Sequence, residues 1–186
     1  MSKIETSAKS QALIETKYWF ERAVIGLNLC PFAHKPAQEG LIRFVACREG
    51  EVRSVFSKEC RQLMSTPREQ LSTTLIVVYE GLTDFFRYND SLADIEAWLA
   101  SERLTGDLQV ASFHPDYQFA GTHPDERQNY TNRSPYPIYH LIREQELSEA
   151  IDKGYDTDRI PERNIETLEL HDQNRIETNF TPSKDR

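Results

Sequence analysis

One stretch of the chain concentrates side chains able to do chemistry. Between Phe113 and Pro137 lie His114, Asp116, His123, Asp125, Asn129, Asn132 and Arg133, with Arg143 shortly after. An imidazole near neutral pH suits general acid–base work, and Asp116 or a backbone group can hold His114 in one tautomer. Guanidinium groups grip carboxylate or phosphate in bidentate fashion, so Arg133 and Arg143 are candidate anchors for a small anion. Asn129 and Asn132 add amides that orient a ligand through donors and acceptors alike. Each residue also has a structural use. His114 can cap a strand end through a backbone hydrogen bond, and Asp116 can form an Asx turn after Pro115. Both arginines can sit in ion pairs with Asp116, Glu144 or Glu162.

The stretch itself carries Pro115, Pro124 and Pro135 and has neither helical nor strand periodicity. Loops beyond roughly 12–15 residues are usually functional or disordered. Phe113, Tyr117, Phe119, Tyr130 and Tyr136 supply apolar area that disordered segments lack, which favours an ordered, functional loop.

Cys30 is a second candidate, as a nucleophile, but it follows directly on a helix end. The dipole there opposes a thiolate, and a buried, inert cysteine is the competing reading. A metal site can be drawn from His114, Asp116, His123, Asp125 and His140. No spacing matches a known metal motif, so no metal is assigned. Neither GxGxxG, GxxxxGK[ST] nor GxSxG occurs, which disfavours dinucleotide binding, P-loop phosphoryl transfer and a serine elbow. No cofactor is assigned.

The elements that must position these residues follow from hydrophobic spacing. Gln11 to Asn28 reads as a helix through Leu13, Phe20, Val24 and Leu27, stopped by Pro31. Leu41 to Cys47 reads as a strand and Glu51 to Met64 as a helix. Thr73 to Tyr79 holds the unbroken run Leu75–Val78, expected of a central strand buried on both faces. Asp84 to Arg103 reads as a helix and Leu108 to Phe113 as a third strand. Pro137 opens an expected helix ending at Gly154, and Pro161 another running to about Ile176. The expectation is an α/β domain with α-β-α-β-α-β order, then the long loop and two C-terminal helices. A ferredoxin-like arrangement with an unread antiparallel strand is the alternative. Residues 1–10 are expected to fray, 11–176 to form one domain, and 177–186 to be a disordered tail. In a parallel sheet, His114 and Asp116 sit beyond a strand's carboxyl end, beside the turn at Glu80-Gly81, where open α/β sheets bind ligands.

Composition narrows the function classes. Lys+Arg 22 against Asp+Glu 30 leaves a net charge of −8, which disfavours nucleic acid as a partner. No apolar run reaches membrane-spanning length, and the first residues have no secretory character. Cys30, Cys47 and Cys60 form an odd set that fits reduced thiols in a cytoplasm.

Three longer signatures resemble a known family. Trp19-Phe20-Glu21-Arg22-Ala23-Val24-Ile25-Gly26-Leu27-Asn28-Leu29-Cys30-Pro31-Phe32-Ala33 is similar to the opening signature of a bacterial family known as domain of unknown function 1415. Ser112 to Gly121 resembles its middle signature, and Asn129 to Pro137 its third, followed by His140-Leu141 and Arg143-Glu144. Glu162-Arg163-Asn164 is similar to a short later element. The resemblance implies a small cytoplasmic bacterial protein and no particular activity.

Signatures and physical reading together suggest that Asn28, Cys30, His114, Asp116, Asn129, Arg133, His140, Arg143 and Asn164 converge on one pocket. The leading expectation is an enzyme acting on a small anionic metabolite. His114 with Asp116 would be the acid–base pair and Cys30 a possible nucleophile. Asn28, Asn129, Asn132, Arg133, His140, Arg143 and Asn164 would bind the substrate. The alternative is a non-catalytic ligand-sensing or protein-interaction module with the long loop as its recognition surface and the arginines meeting acidic partners. A nearly flat loop surface with both arginines paired internally would favour it over the enzyme. A metal-dependent hydrolase is the weaker third. Oligomeric state is left open.

Overall fold

A computed structural model of the chain describes residues 2–152, 159–171, 176, 179 and 180. Helix α1 spans Ser2–Trp19 and runs on into a π-helical turn, Phe20–Ile25. Ala12, Thr16, Trp19, Phe20 and Ala23 recur every three or four residues and are buried. The wider winding brings Gly26 N–H to Glu21 O and Leu29 N–H to Val24 O, each at 3.0 Å. A Cβ on Gly26 would stand 2.3 Å from the Arg22 carbonyl oxygen, so only glycine fits there. Asn28 then takes φ 53° and turns the chain toward Cys30.

A short helix α2, His34–Gln38, precedes strand β1, Ile42–Arg48. Helix α3, Val52–Ser65, crosses over to β2, Thr73–Glu80. Helix α4, Phe85–Ser101, leads to β3, Leu108–Phe113. Asp84 caps α4, its carboxylate accepting from Arg87 N–H at 2.8 Å. These elements match the periodicity closely, and the mixed α/β class holds.

The segment after the long loop differs from expectation. Ile138–Arg143 is strand β4, and the helix expected from Pro137 begins only at α5, Glu144–Asp152. The sheet order is β1-β2-β4-β3, with β1 parallel to β2 and β4 antiparallel to both β2 and β3. The physical reason is burial. Lying between β2 and β3, β4 is apolar on both faces and loses the alternation that marks a half-exposed strand. Its Ile138, Leu141 and Ile142 then imitate helical spacing. The expected helix end at Gly154 lies outside the described residues. Helix α6, Ile160–Leu170, starts with Pro161 in its first turn as expected.

Two apolar layers sandwich the sheet. On one face α3 and α4 bring Phe56, Leu63, Tyr88 and Trp98 against Ile76, Val78, Tyr139 and Leu141. On the other, α1 and α6 bring Trp19, Phe20 and Leu168 against Leu75, Val77 and Ile138. Among the described residues no helix is long and apolar enough to cross a membrane.

Candidate functional site

The long loop is ordered by its own polar side chains. Asn129 is fully buried and saturated. Its Oδ1 accepts from Phe119 N–H at 3.0 Å and Thr122 Oγ1 at 2.9 Å, and its Nδ2 donates to His123 O at 2.8 Å. Asn132 Nδ2 donates to Ser112 O at 3.0 Å, and its carbonyl accepts from His114 N–H, which fastens the loop to the end of β3. Arg133 lies over Tyr130, its guanidinium carbon 4.6 Å from the ring centroid. It donates to Tyr117 O at 3.3 Å and Pro124 O at 2.6 Å. These three residues therefore hold loop shape.

His114 has no exposed surface. Its Nδ1 accepts from Asp116 N–H at 3.0 Å, so Nε2 carries the proton and donates to Leu82 O at 2.9 Å. Burial pushes its pKa down from the usual 6.5, against the pull of the Leu82 carbonyl and of the Asp116 and Asp84 charges. The imidazole packs against Phe85 and Tyr88. The strand-end cap describes it better than an acid–base group does. Asp116 orients it through the backbone N–H, and the Asp116 carboxylate stays exposed.

The Leu82 carbonyl belongs to a strained turn. Gly81 and Leu82 have φ 97° and 51°, and a Cβ on Gly81 would stand 2.5 Å from Glu49 Cβ. Glu49 accepts from Leu82 N–H at 3.2 Å and also pairs with Arg87. The turn is thus clamped by Glu49 on one side and His114 on the other. It presents Asp84-Phe85-Phe86, which join the loop rings in a ladder. Phe86 to Phe85 is 5.9 Å between centroids, Phe85 to Tyr117 is 5.2 Å, and Tyr117 to Phe119 is 5.0 Å. Phe86 is 72% exposed.

Arg143 is not at this end of the sheet. It pairs in register with Leu108, whereas Phe113 pairs with Ile138 five residues along, a separation of about 17 Å. Its Nη2 donates to Leu63 O, Thr66 O and Leu71 O at 2.5, 2.8 and 3.2 Å, closing the C-terminus of α3. The expected ion pairs of both arginines are replaced by backbone carbonyls. His140 and His114 also part company. His140 neighbours Leu75 and Ala111 across the sheet and faces the α1 side, with Phe113 6.2 Å away. The Thr73 hydroxyl donates to Leu141 O, so its 2.7 Å contact with His140 is an Nε2–H donation to Thr73 Oγ1. His140 Nδ1 makes no hydrogen bond among the described residues. Burial pushes the His140 pKa down to about 4.

The remaining candidates tie the N-terminal segment together. Asn28 Oδ1 contacts His34 Nε2 at 2.9 Å, and Asn164 Nδ2 donates to Leu29 O at 2.9 Å. For Cys30 the direction is as expected and the cause differs. It precedes the turn Pro31–Ala33 as its N-cap, and N–H groups of Phe32 and Ala33 favour its thiolate. Burial outweighs them and raises the thiol pKa. Among the described residues no three His, Cys, Asp or Glu side chains gather as a metal site. Of the nine residues expected to share one pocket, Arg143 lies at the other end of the sheet from His114, and His140 faces the opposite side of the sheet. Sequence reasoning missed Leu82, Asp84, Phe85 and Phe86. The available signal was Phe86, which falls outside the Phe85–Tyr88–Leu92–Ile95–Leu99 stripe and so had to face solvent.

These features define a mixed α/β domain in which an internally stapled loop and the start of α4 share an aromatic ladder that ends in exposed Phe86. The family model described as "Protein of unknown function (DUF1415)" matches residues 11–178, and the chain belongs to that family. No curated protein and no solved structure matches it.

Proposed function

We propose that the protein is a non-catalytic binding module whose recognition surface is the long loop together with the start of α4. The observation that carries this reading is the ring ladder ending in exposed Phe86. Aromatic rings held rigidly at a surface are typical anchors of protein interfaces. Arg133 and Arg143 spend donors on backbone carbonyls, which speaks against the anion grip and for the interaction module. The cytoplasm of a bacterium suits three unpaired thiols.

The test is capture of partners from a bacterial lysate by the wild-type chain and by Phe86→Asp in parallel. A partner retained by the wild type and lost by the folded variant is expected. Identical capture by both baits overturns the reading.

A second reading, an enzyme acting on a small metabolite, draws support from His140 instead of His114. Its Nδ1 lone pair is unused among the described residues and can accept a hydrogen bond from a ligand. A thermal shift with a metabolite that disappears in His140→Gln would favour it.

A further inference from the structure

We propose that the ladder binds a cationic side chain, arginine or lysine, carried on an exposed segment of a protein partner; this rests on the binding-module reading above. Some of the aromatic rings elsewhere carry one of the protein's own cations. Lys17 lies over Phe44, Arg22 over Tyr18, Arg48 over Tyr79, Arg53 over Trp98 and Arg133 over Tyr130. Among the described residues no such contact falls on Phe85, Phe86, Tyr117 or Phe119. Of these rings Phe86 is exposed, and its negative face is open to a cation from outside.

Two carboxylates stand beside them. Asp84 precedes Phe85 and Asp116 precedes Tyr117, and both are exposed. Phe85 and Tyr117 stand 5.2 Å apart between centroids, so the carboxylates that precede them flank the same part of the ladder. Asp84 has one oxygen on Arg87 N–H, so it already answers the partial positive charge of the α4 N-terminus. Asp116 makes no side-chain hydrogen bond or ion pair among the described residues. The cations nearby are engaged, Arg87 with Glu49 and Arg133 with carbonyls and the Tyr130 ring. The charge left facing solvent is negative, on a chain of net charge −8. A guanidinium can stack on a ring while its edge meets a carboxylate, so aromatic faces beside Asp116 suit it. An acidic segment would meet Asp84 and Asp116 directly.

The experiment titrates the isotopically labelled full chain with hexa-arginine, with hexaglutamate and with an uncharged proline-rich peptide, following amide and aromatic shifts. Hexa-arginine is expected to shift Asp84, Phe85, Phe86, Asp116, Tyr117 and Phe119, and to bind less tightly as salt is raised. Phe86→Ala should weaken it by about three- to fivefold, the equivalent of one exposed cation–π contact. Asp116→Asn should weaken it further in combination. Shifts spread over other acidic surface and indifferent to both variants overturn the proposal. If the uncharged peptide moves the ladder and hexa-arginine does not, the cationic class fails while the binding surface stands. If no peptide moves the ladder, the cationic class fails and lysate capture alone judges the binding module.

Discussion

The two ends of the sheet solve one problem in different ways. At each end a polar side chain reaches across to backbone carbonyls of a neighbouring segment. Arg143 gathers Leu63 O, Thr66 O and Leu71 O and closes a helix terminus. His114 bridges Leu82 O and Asp116 N–H, and so joins a strained turn to a long loop. The Arg143 end gives its polar groups to the fold alone. At the His114 end the same kind of bonding holds Phe85, Phe86 and Tyr117 in place at the surface. Ordered polar contacts around a loop can therefore mark the support of a site whose contact atoms are apolar.

Breaking the Arg143 end should cost most. Arg143→Met keeps the aliphatic stem but removes the charged donor shared by Leu63 O, Thr66 O and Leu71 O. Of these, Leu63 O keeps a backbone partner in Thr66 N–H, and hydrogen bonds to a charged donor are individually strong. A loss of about 4 kcal/mol is expected, read as a lower urea midpoint at unchanged slope. Amide protection in the loop should fall only as far as global stability does. Selective loss of protection at the ladder would mean the two ends are coupled.

His114→Ala should cost about 3 kcal/mol, from a cavity in a closely packed site and from stranding Leu82 O. Its distinguishing effect is local. Hydrogen exchange should accelerate in residues 81–84 and 116–119 beyond the global loss, because the turn keeps positive φ at Gly81 and Leu82 without its clamp. His114→Gln, which can still donate to Leu82 O, should recover part of the protection. Uniform exchange throughout the chain would make His114 an ordinary core residue.

How much of this was legible depended on whether a residue's environment was local. The stripe Phe85, Tyr88, Leu92, Ile95 and Leu99 announced α4, and Leu75–Val78 announced a buried strand, because each pattern is written in consecutive residues. β4 escaped because its burial comes from β2 and β3 on either side, which its own sequence does not name. The site residues were chosen for their chemistry, and their types were right for hydrogen bonding. What sequence could not supply was the acceptor. Arg133, Arg143, Asn132 and Asn164 all donate to backbone carbonyls, and a carbonyl has no residue type to betray it. The loop's importance was legible from its aromatic content, and the position of His114 beside the turn after β2 followed from strand direction.

The smallest effect separates the ends by pH. His114 and His140 both have pKa values lowered by burial, His140 to about 4 from an ordinary 6.5. Below 6.5 the unfolded chain takes up protons that the folded chain refuses, so stability present above that pH is lost as it falls toward 4. For His140 the loss at pH 5.5 is about 1 kcal/mol. It should appear in the urea midpoint of the wild type and shrink in His140→Gln. His114 adds its own share in the same direction, and with it a local signature. Between pH 6.5 and 5.5 the turn at Leu82 should lose protection before the α3 terminus does, since the Arg143–carbonyl contacts contain no acceptor that titrates there. Equal loss at both ends would place the acid sensitivity in the global fold and remove the imidazole clamp as its cause.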